Sequence, residues 1–407
     1  MKRNDLFVPI CLILLGASLW PEMELMVPSL PEMKRVFDVS NREIQNLLTA
    51  NFIGFFLGVL FAGPLCDSLG RKSVLKMGAI LYLLSSLACA LSPNFGILTL
   101  ARFVQGFAMT GPVIAGGVLL MDLTKGSHQI FWMSLGNACV TFAMALAPII
   151  GSWINSIFGY QGNLWSILIL GILGIVPALI FIPESLPPES RKKFELGQLV
   201  KNYQALLTNW SFMSIGIPIC SLAAAYWIYV GVSALYMVDY LGIPDAHYGW
   251  YQGPIVGTFS VFSLASSKLL GRFGLLNCVK AGIFSMLLGF ISLLTLSLIP
   301  WETPLGTTIP MMLWVGGMAP LCSLLFPIAL GVLPQDLQGS AQSMINAIRL
   351  LLASLGTALL GFVYKGPFLP IVMVMGGILI ISLWILWTAR GRLSHQPTVG
   401  QGMPPSH

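Results

Sequence analysis

Four ionisable side chains sit inside stretches otherwise suited to hydrocarbon: Glu22, Glu24, Arg102 and Arg349. Charge at that depth is expensive, and by default it marks a pathway or a binding site. A carboxylic acid there can load and release a proton, and a guanidinium can pair with a carboxylate or receive an anion. Residues two apart on a helix differ in direction by about 200°. Glu22 and Glu24 therefore cannot both face one cavity. A second group lies in the short polar turn GPLCDSLGRKSVL, Gly63 to Leu75. Gly63 and Gly70 permit close backbone approach, and Asp67 stands four residues before the basic pair Arg71 and Lys72.

These residues are carried by membrane-spanning elements. Only 9% of the 407 residues are charged, against roughly 25% in soluble proteins, too few to cover a water-exposed surface. Uncharged runs of about 20 residues recur along the chain, the length a helix needs to cross a bilayer. Twelve such spans predict an all-α integral membrane protein built as two six-helix bundles. The expected layout is a first bundle over 1–183, a linker over 184–210, a second bundle over 211–388 and a polar tail over 389–407.

An even number of spans places both termini on one side. Of the 21 Lys and Arg residues, Arg102 and Arg349 are within spans. Lys34, Arg35, Arg42 and Lys365 fall in loops on the side away from the termini, which leaves 15 on the terminal side, Lys2, Arg71, Lys72, Arg191 and Lys192 among them. Basic loops stay cytoplasmic, so both termini are expected in the cytoplasm of a cell with the protein in its inner membrane. The net charge of +6 thus reflects topology, and no nucleic-acid partner is implied. The seven cysteines are scattered through apolar segments without a C-x-x-C pair, so neither a disulfide framework nor a metal site is expected.

In the linker, Leu196, Leu199, Val200, Tyr203, Leu206 and Leu207 recur at three- and four-residue steps, the pattern of an amphipathic helix on the membrane surface. The halves read as diverged repeats. Ser267 to Gly274 (SKLLGRFG) follows the eighth span as Gly63 to Gly70 follows the second, with Gly271 where Asp67 would stand.

The turn over Gly63, Leu65, Asp67, Gly70, Arg71 and Lys72 resembles the G-x-L-x-D-x-x-G-R-[KR] signature of the major facilitator superfamily. Arg102, Gln105 and Gly106 in LARFVQG are similar to its R-x-x-Q-G signature, which implies an arginine facing the central cavity and aiding proton coupling. ELMVPSLPEM after Glu24 resembles the T-D-M-Y-L-P-A-L-P stretch of the bicyclomycin-resistance type of drug:proton antiporter, with Glu24 at the place of the helix 1 aspartate. The fifth span resembles the exporter signature G-x-x-x-G-P-x-x-G, with Ala143 and Ala147 replacing two glycines while Pro148 and Gly151 remain. Gly63, Asp67, Gly70, Arg71, Lys72, Pro148 and Gly151 form the candidate gating set.

The resemblance implies a proton-coupled antiporter that exports small drug-like or lipophilic molecules by rocking two bundles about a midplane site. Glu24 and Arg102, at similar depths, are expected to pair and carry the coupling, with Glu22 the next candidate. In the seventh span Tyr226, Tyr229, Ser233, Tyr236 and Tyr240 share a face suited to flat apolar or cationic molecules. In the eleventh, Ser343, Asn346 and Arg349 share a face. Tyr226, Tyr229, Ser233, Asn346, Arg349, Gln105, Asn137 and Thr141 make up the candidate substrate-binding set. Arg349 matches no signature of the superfamily and favours the alternative cargo, an anionic or zwitterionic metabolite such as a carboxylate siderophore or amino-acid derivative. A polytopic membrane enzyme or receptor is the remote alternative, since no catalytic ligand set or large extramembrane domain is present. No P-loop or other nucleotide motif occurs, so no cofactor is expected and a proton gradient supplies the energy. The expected partners are a small-molecule substrate, protons and membrane lipid, around a monomer.

Overall fold

The computed structural model describes residues 3–299 and 302–394. Lys2 and the tail from His395 onward lie outside the described residues. Every regular element among the described residues is helical. The first span is broken where Pro21, Pro28 and Pro31 remove backbone donors: α1 (Arg3–Leu19), α2 (Glu22–Met26), a 3₁₀ turn (Val27–Ser29) and α3 (Leu30–Val36) follow one another. Then come α4 (Asn41–Leu69), α5 (Arg71–Ala90) and α6 (Phe95–Leu123). α7 (Gly126–Phe181) contains two crossings joined at Gly159, whose φ of 67° reverses the chain. A side chain there would meet the Glu32 carboxylate.

After the linker helix α8 (Leu196–Thr208), the second half contains α9 (Trp210–Ala234), extended by a π turn over Leu235–Tyr240, and α10 (Asp245–Phe273). It closes with α11 (Leu275–Leu298), α12 (Pro304–Gly331), α13 (Gln335–Val363) and α14 (Leu369–Ser394). Residues 389–394, expected in the polar tail, thus continue α14. Among the described residues, ten helical segments are long and apolar enough to cross a membrane, and one of them, His128–Phe181, is the 54-residue double crossing. α10, more polar and absent from that set, supplies the remaining crossing of twelve.

The two largest junctions between the halves pack α4 on α13 and the first part of α7 on α10, and the outer part of the first span adds smaller contacts to α9 and α10. Large apolar side chains such as Leu84, Leu100, Phe284 and Ile380 remain exposed on the outside, as lipid-facing positions should. Close crossings rest on glycine. A Cβ at Gly54 would strike the Phe103 carbonyl, and one at Gly106 the Asn51 carbonyl, so α4 and α6 touch backbone to backbone.

The linker segment expected to form an amphipathic helix is occupied by α8. Leu199 and Leu206 are buried, while Leu196, Val200 and Leu207 remain exposed along one edge. Tyr203 donates a 2.9 Å hydrogen bond to the Leu60 carbonyl of α4, and Asn202 a 3.4 Å bond to Ser340 Oγ of α13. Burial pushes the Tyr203 phenol up to about 12, so it remains a donor at any physiological pH.

Candidate functional site

The ionisable residues of the first span separate as their 200° offset requires. Glu22 points into the first half. Its Oε1 accepts from Asn51 Nδ2 at 3.0 Å and lies 3.6 Å from Arg102 Nη1, and its Oε2 accepts from Tyr82 Oη at 2.7 Å. Arg102, wholly buried, also donates to Gln105 Oε1 at 2.6 Å and to Met23 Sδ at 3.0 Å. Gln105 in turn donates to Ser86 Oγ at 2.8 Å. The expected Glu24–Arg102 pair is therefore replaced by a Glu22–Arg102 pair. The reason is helical direction, since the face that carries Glu22 toward α4, α5 and α6 turns Glu24 toward the other half.

Glu24, also wholly buried, is held across the boundary between the halves. Its Oε1 accepts from Tyr226 Oη of α9 at 2.7 Å, and its Oε2 from Gln252 Nε2 of α10 at 3.4 Å. Gln252 Nε2 also lies 3.2 Å from Tyr226 Oη. No described basic residue forms an ion pair with Glu24. Around it Ser233 and Tyr248 share a 2.6 Å hydrogen bond, and the Tyr229 hydroxyl and Gln252 Oε1 are buried without partners. Tyr226, Tyr229, Ser233 and Tyr236, expected as a cavity-lining face, are thus sealed between helices in this state.

The exporter-like segment of the fifth span builds this junction. A Cβ at Gly151 would collide with the Leu25 carbonyl, beside Glu24, and one at Gly249 of α10 would collide with Pro148. The Gly249 amide donates to Ser152 Oγ at 2.8 Å. Pro148 and Gly151 thus bring α2, α7 and α10 within backbone contact.

The two ends of the molecule differ. At the end opposite the polar turn, ion pairs bridge the halves: Lys34 and Arg35 reach Asp239 at 3.1 and 3.2 Å, and Arg35 reaches Asp245 at 3.4 Å. The Arg42 guanidinium lies 3.9 Å from the centre of the Phe362 ring, and Thr49 and Thr357 share a 3.0 Å hydrogen bond. At the polar-turn end the ion pairs stay within the first half and its linker, among the described residues. Arg71 contacts Asp67 at 3.1 Å and Asp122 at 3.4 Å. Glu184 accepts from the Arg71 and Lys72 amides at 3.0 and 3.2 Å and lies 3.9 Å from Arg191, so a carboxylate caps the start of α5. Among the described residues, neither Asp67 nor Arg71 forms an ion pair with the opposite half in this state. Gly70, with φ of 97°, makes the turn, and a side chain there would strike Glu184. Gly63 faces the other half, 3.5 Å from Ser343 Oγ as measured from a Cβ placed on it.

From this end, polar stripes run inward. On α13, Gln342 is exposed, Asn346 and Arg349 are half-buried, and Ala353 and Thr357 are buried. On α7, Met133 and Asn137 are exposed, Val140 is half-buried, and Thr141, Pro148 and Ser152 are buried. Thr141 Oγ1 is turned back onto the Asn137 carbonyl at 2.9 Å. Asn137 lines a cavity of about 160 Å³ with Leu12, Gly16, Val113, Gly117 and Val140, all from the first half. Gln105, expected to bind substrate, is instead enclosed in the Arg102 cluster.

Several residues of the site carried no recognisable signature: Asn51, Tyr82, Glu184, Asp239, Asp245, Gly249 and Gln252. The available signal was polarity within apolar spans for Asn51, Tyr82 and Gln252, and acidic loop residues opposite Lys34 and Arg35 for Asp239 and Asp245.

Comparison with known proteins agrees with this architecture. The chain is 25% identical over 364 residues to a bicyclomycin resistance protein homolog of Haemophilus influenzae, covering 89% of this chain and 90% of that protein. It is 24% identical over 292 residues to the multidrug transporter MdfA of Edwardsiella ictaluri, covering 71% and 70%. Among solved structures, the xylose transporter XylE of E. coli in a partially occluded inward-open conformation superposes with a TM-score of 0.73 at 14% identity, covering 99% of this chain and all of that one. A point mutant of the nucleoside transporter NupG gives 0.74 at 15% identity, covering 95% and 100%. The sequence model of the Major Facilitator Superfamily matches residues 11–357. With that match and twelve crossings in two packed halves, the chain belongs to the Major Facilitator Superfamily and is a membrane transporter.

Proposed function

We propose that the protein is a proton-coupled exporter of small drug-like or lipophilic molecules, working by alternating access in the inner membrane with both termini cytoplasmic. The supporting observation is Glu24, a wholly buried carboxyl group that touches both halves and has only neutral donors, Tyr226 and Gln252. Moving an ionised carboxylate through an occluded state without a cation is costly. The crossing is favourable when Glu24 carries a proton or when bound substrate engages it, and that either-or condition couples the two fluxes. The ionised form accepts charge-assisted hydrogen bonds, roughly twice as strong as neutral ones, so protonation loosens the tie between the halves. The names of the relatives support drug export as the direction and cargo.

On this reading the end bearing Lys34, Arg35, Asp239 and Asp245 is periplasmic and closed, and the end bearing Asp67 to Lys72 is cytoplasmic. The test is transport into proteoliposomes of cationic, neutral and anionic candidates, with and without a pH gradient. Accumulation of at least one class should depend on the gradient and collapse with a protonophore. Transport that is identical without a gradient would contradict proton coupling.

A further inference from the structure

The cation on α13 has no counter-charge in the protein, among the described residues. Arg349 lies near the middle of its helix, yet its side chain remains half-buried rather than sealed. No described carboxylate forms an ion pair with it, and its Nε has no hydrogen-bond partner. Its electrostatic neighbours are the thiols of Cys220 and Cys322, whose own donors are directed to the Ile345 carbonyl at 3.1 Å and the Ile219 carbonyl at 3.8 Å. Arg102, the other deep arginine, contrasts with it by having Glu22.

Position tells what reaches Arg349. Gln342, Asn346, Arg349, Ala353 and Thr357 succeed one another at three- and four-residue steps and so share a face. Exposure along this face falls from Gln342 through Asn346 and Arg349 to Ala353 and Thr357. Thr357 ends the stripe by bonding Thr49 of the other half. The face therefore looks toward the boundary between the halves, open at the polar-turn end and shut beyond Arg349. The first half holds a largely apolar cavity of about 160 Å³, lined among others by Leu12, Gly16, Val113, Gly117 and Val140, with Asn137 as a polar point.

We propose that Arg349 is the recognition point for an anionic group, and that the transported molecules are organic anions with an apolar body. The inference rests on the transporter reading above and specifies its substrate class. A guanidinium offers a carboxylate or phosphate two parallel donors, and on this proposal the largely apolar cavity of the first half takes the apolar body. An unpaired intramembrane cation is costly when the cleft is empty, so an anion that neutralises it gains affinity by relieving that penalty.

The test is equilibrium binding to the purified full-length protein in lipid nanodiscs, without any gradient. The probes are 4-phenylbutanoate and 8-phenyloctanoate, each against its primary amide and its ammonium analogue. The carboxylates should bind at least tenfold tighter than the amides. Arg349→Gln should remove that preference, with a single monodisperse species in size-exclusion chromatography reporting an intact fold, and Arg349→Lys should retain part of it. As a check independent of ligand choice, Asn346→Cys in a cysteine-free background should react faster with sulfonatoethyl than with trimethylammonioethyl methanethiosulfonate. That order should reverse or vanish with Arg349→Gln. Equal binding of carboxylate and amide, or a preference for anions that survives Arg349→Gln, overturns the proposal. Because no gradient is used, this failure leaves proton-coupled export standing, and loss of gradient-driven transport leaves the anion preference standing.

Discussion

Tyr226 donates a 2.7 Å hydrogen bond to Glu24, joining the broken first span to α9 across the boundary between the halves. Two residues away, Glu22 is turned to Arg102 and to Tyr82 within its own half. Neighbouring acids thus hold separate tasks: one consolidates a bundle, and the other sits where the bundles meet.

The Glu22–Arg102 pair is expected to be structural. Removing one member of a buried pair leaves an uncompensated charge and costs about 3–5 kcal/mol. Arg102→Ala should therefore lower the thermal unfolding midpoint in detergent sharply, and Glu22→Gln should do so less. The double variant should be less destabilised than the sum of the singles, as coupled partners require. Additive effects in that cycle would show that the two do not interact.

The far-end ion pairs are half-exposed, so each contributes modestly, about 0.2–1 kcal/mol. Asp239 receives both Lys34 and Arg35, and Asp239→Asn removes two contacts at once. A loss of about 1 kcal/mol corresponds to roughly a fivefold shift toward the open form. Cysteine labelling from the outside at Ser233→Cys, sealed in this state, should rise accordingly.

At the polar turn, Asp67 is half-exposed and Arg71 retains Asp122 when Asp67 is lost. Asp67→Asn should leave the folded protein intact and weaken the outward-facing state, in which the cytoplasmic end closes. Cysteine accessibility at Asn137→Cys should then rise. Glu184→Gln should act differently, loosening the cap on α5 by about 1 kcal/mol, read as faster amide hydrogen exchange in its first turn. Unchanged exchange there would remove Glu184 from the capping role.

The topology has its own check. Ser190 lies exposed in the linker beside Arg191. In a cysteine-free background, Ser190→Cys should resist a membrane-impermeant thiol reagent applied to intact cells and react after permeabilisation.

The fold was legible in the sequence because hydrocarbon enforces it. Spans of about 20 apolar residues admit only helices, and the signatures at Gly63–Lys72 and Arg102–Gly106 narrowed the family. The α8 pattern was equally plain. The site was legible in its residues but only partly in their partners. Glu22, Glu24, Arg102 and Arg349 stood out as misplaced charges, and helical geometry already separated Glu22 from Glu24. Which acid met Arg102 depended on the rotation of a helix broken by Pro21 and Pro28, and depth alone carried no information about rotation. Tyr82, Asn51 and Gln252 were individually ordinary, because a single polar side chain in a span acquires meaning only from the group it bonds. The sealed state of Tyr226 and Tyr229 is likewise a property of one conformation, which residue spacing does not encode.

The most direct test of the coupling mechanism is Glu24→Gln in proteoliposomes. Glutamine keeps the shape and an acceptor for Tyr226, and its NH₂ can donate to the unpartnered Gln252 Oε1 once that amide turns over, while the ionisable proton is removed. Substrate binding measured without a gradient should stay within about threefold of the unsubstituted protein, whereas uphill transport driven by a pH gradient should disappear, and Glu22→Gln should retain it in part. Full gradient-driven accumulation by the Glu24→Gln protein would contradict the assignment and move the proton to another group.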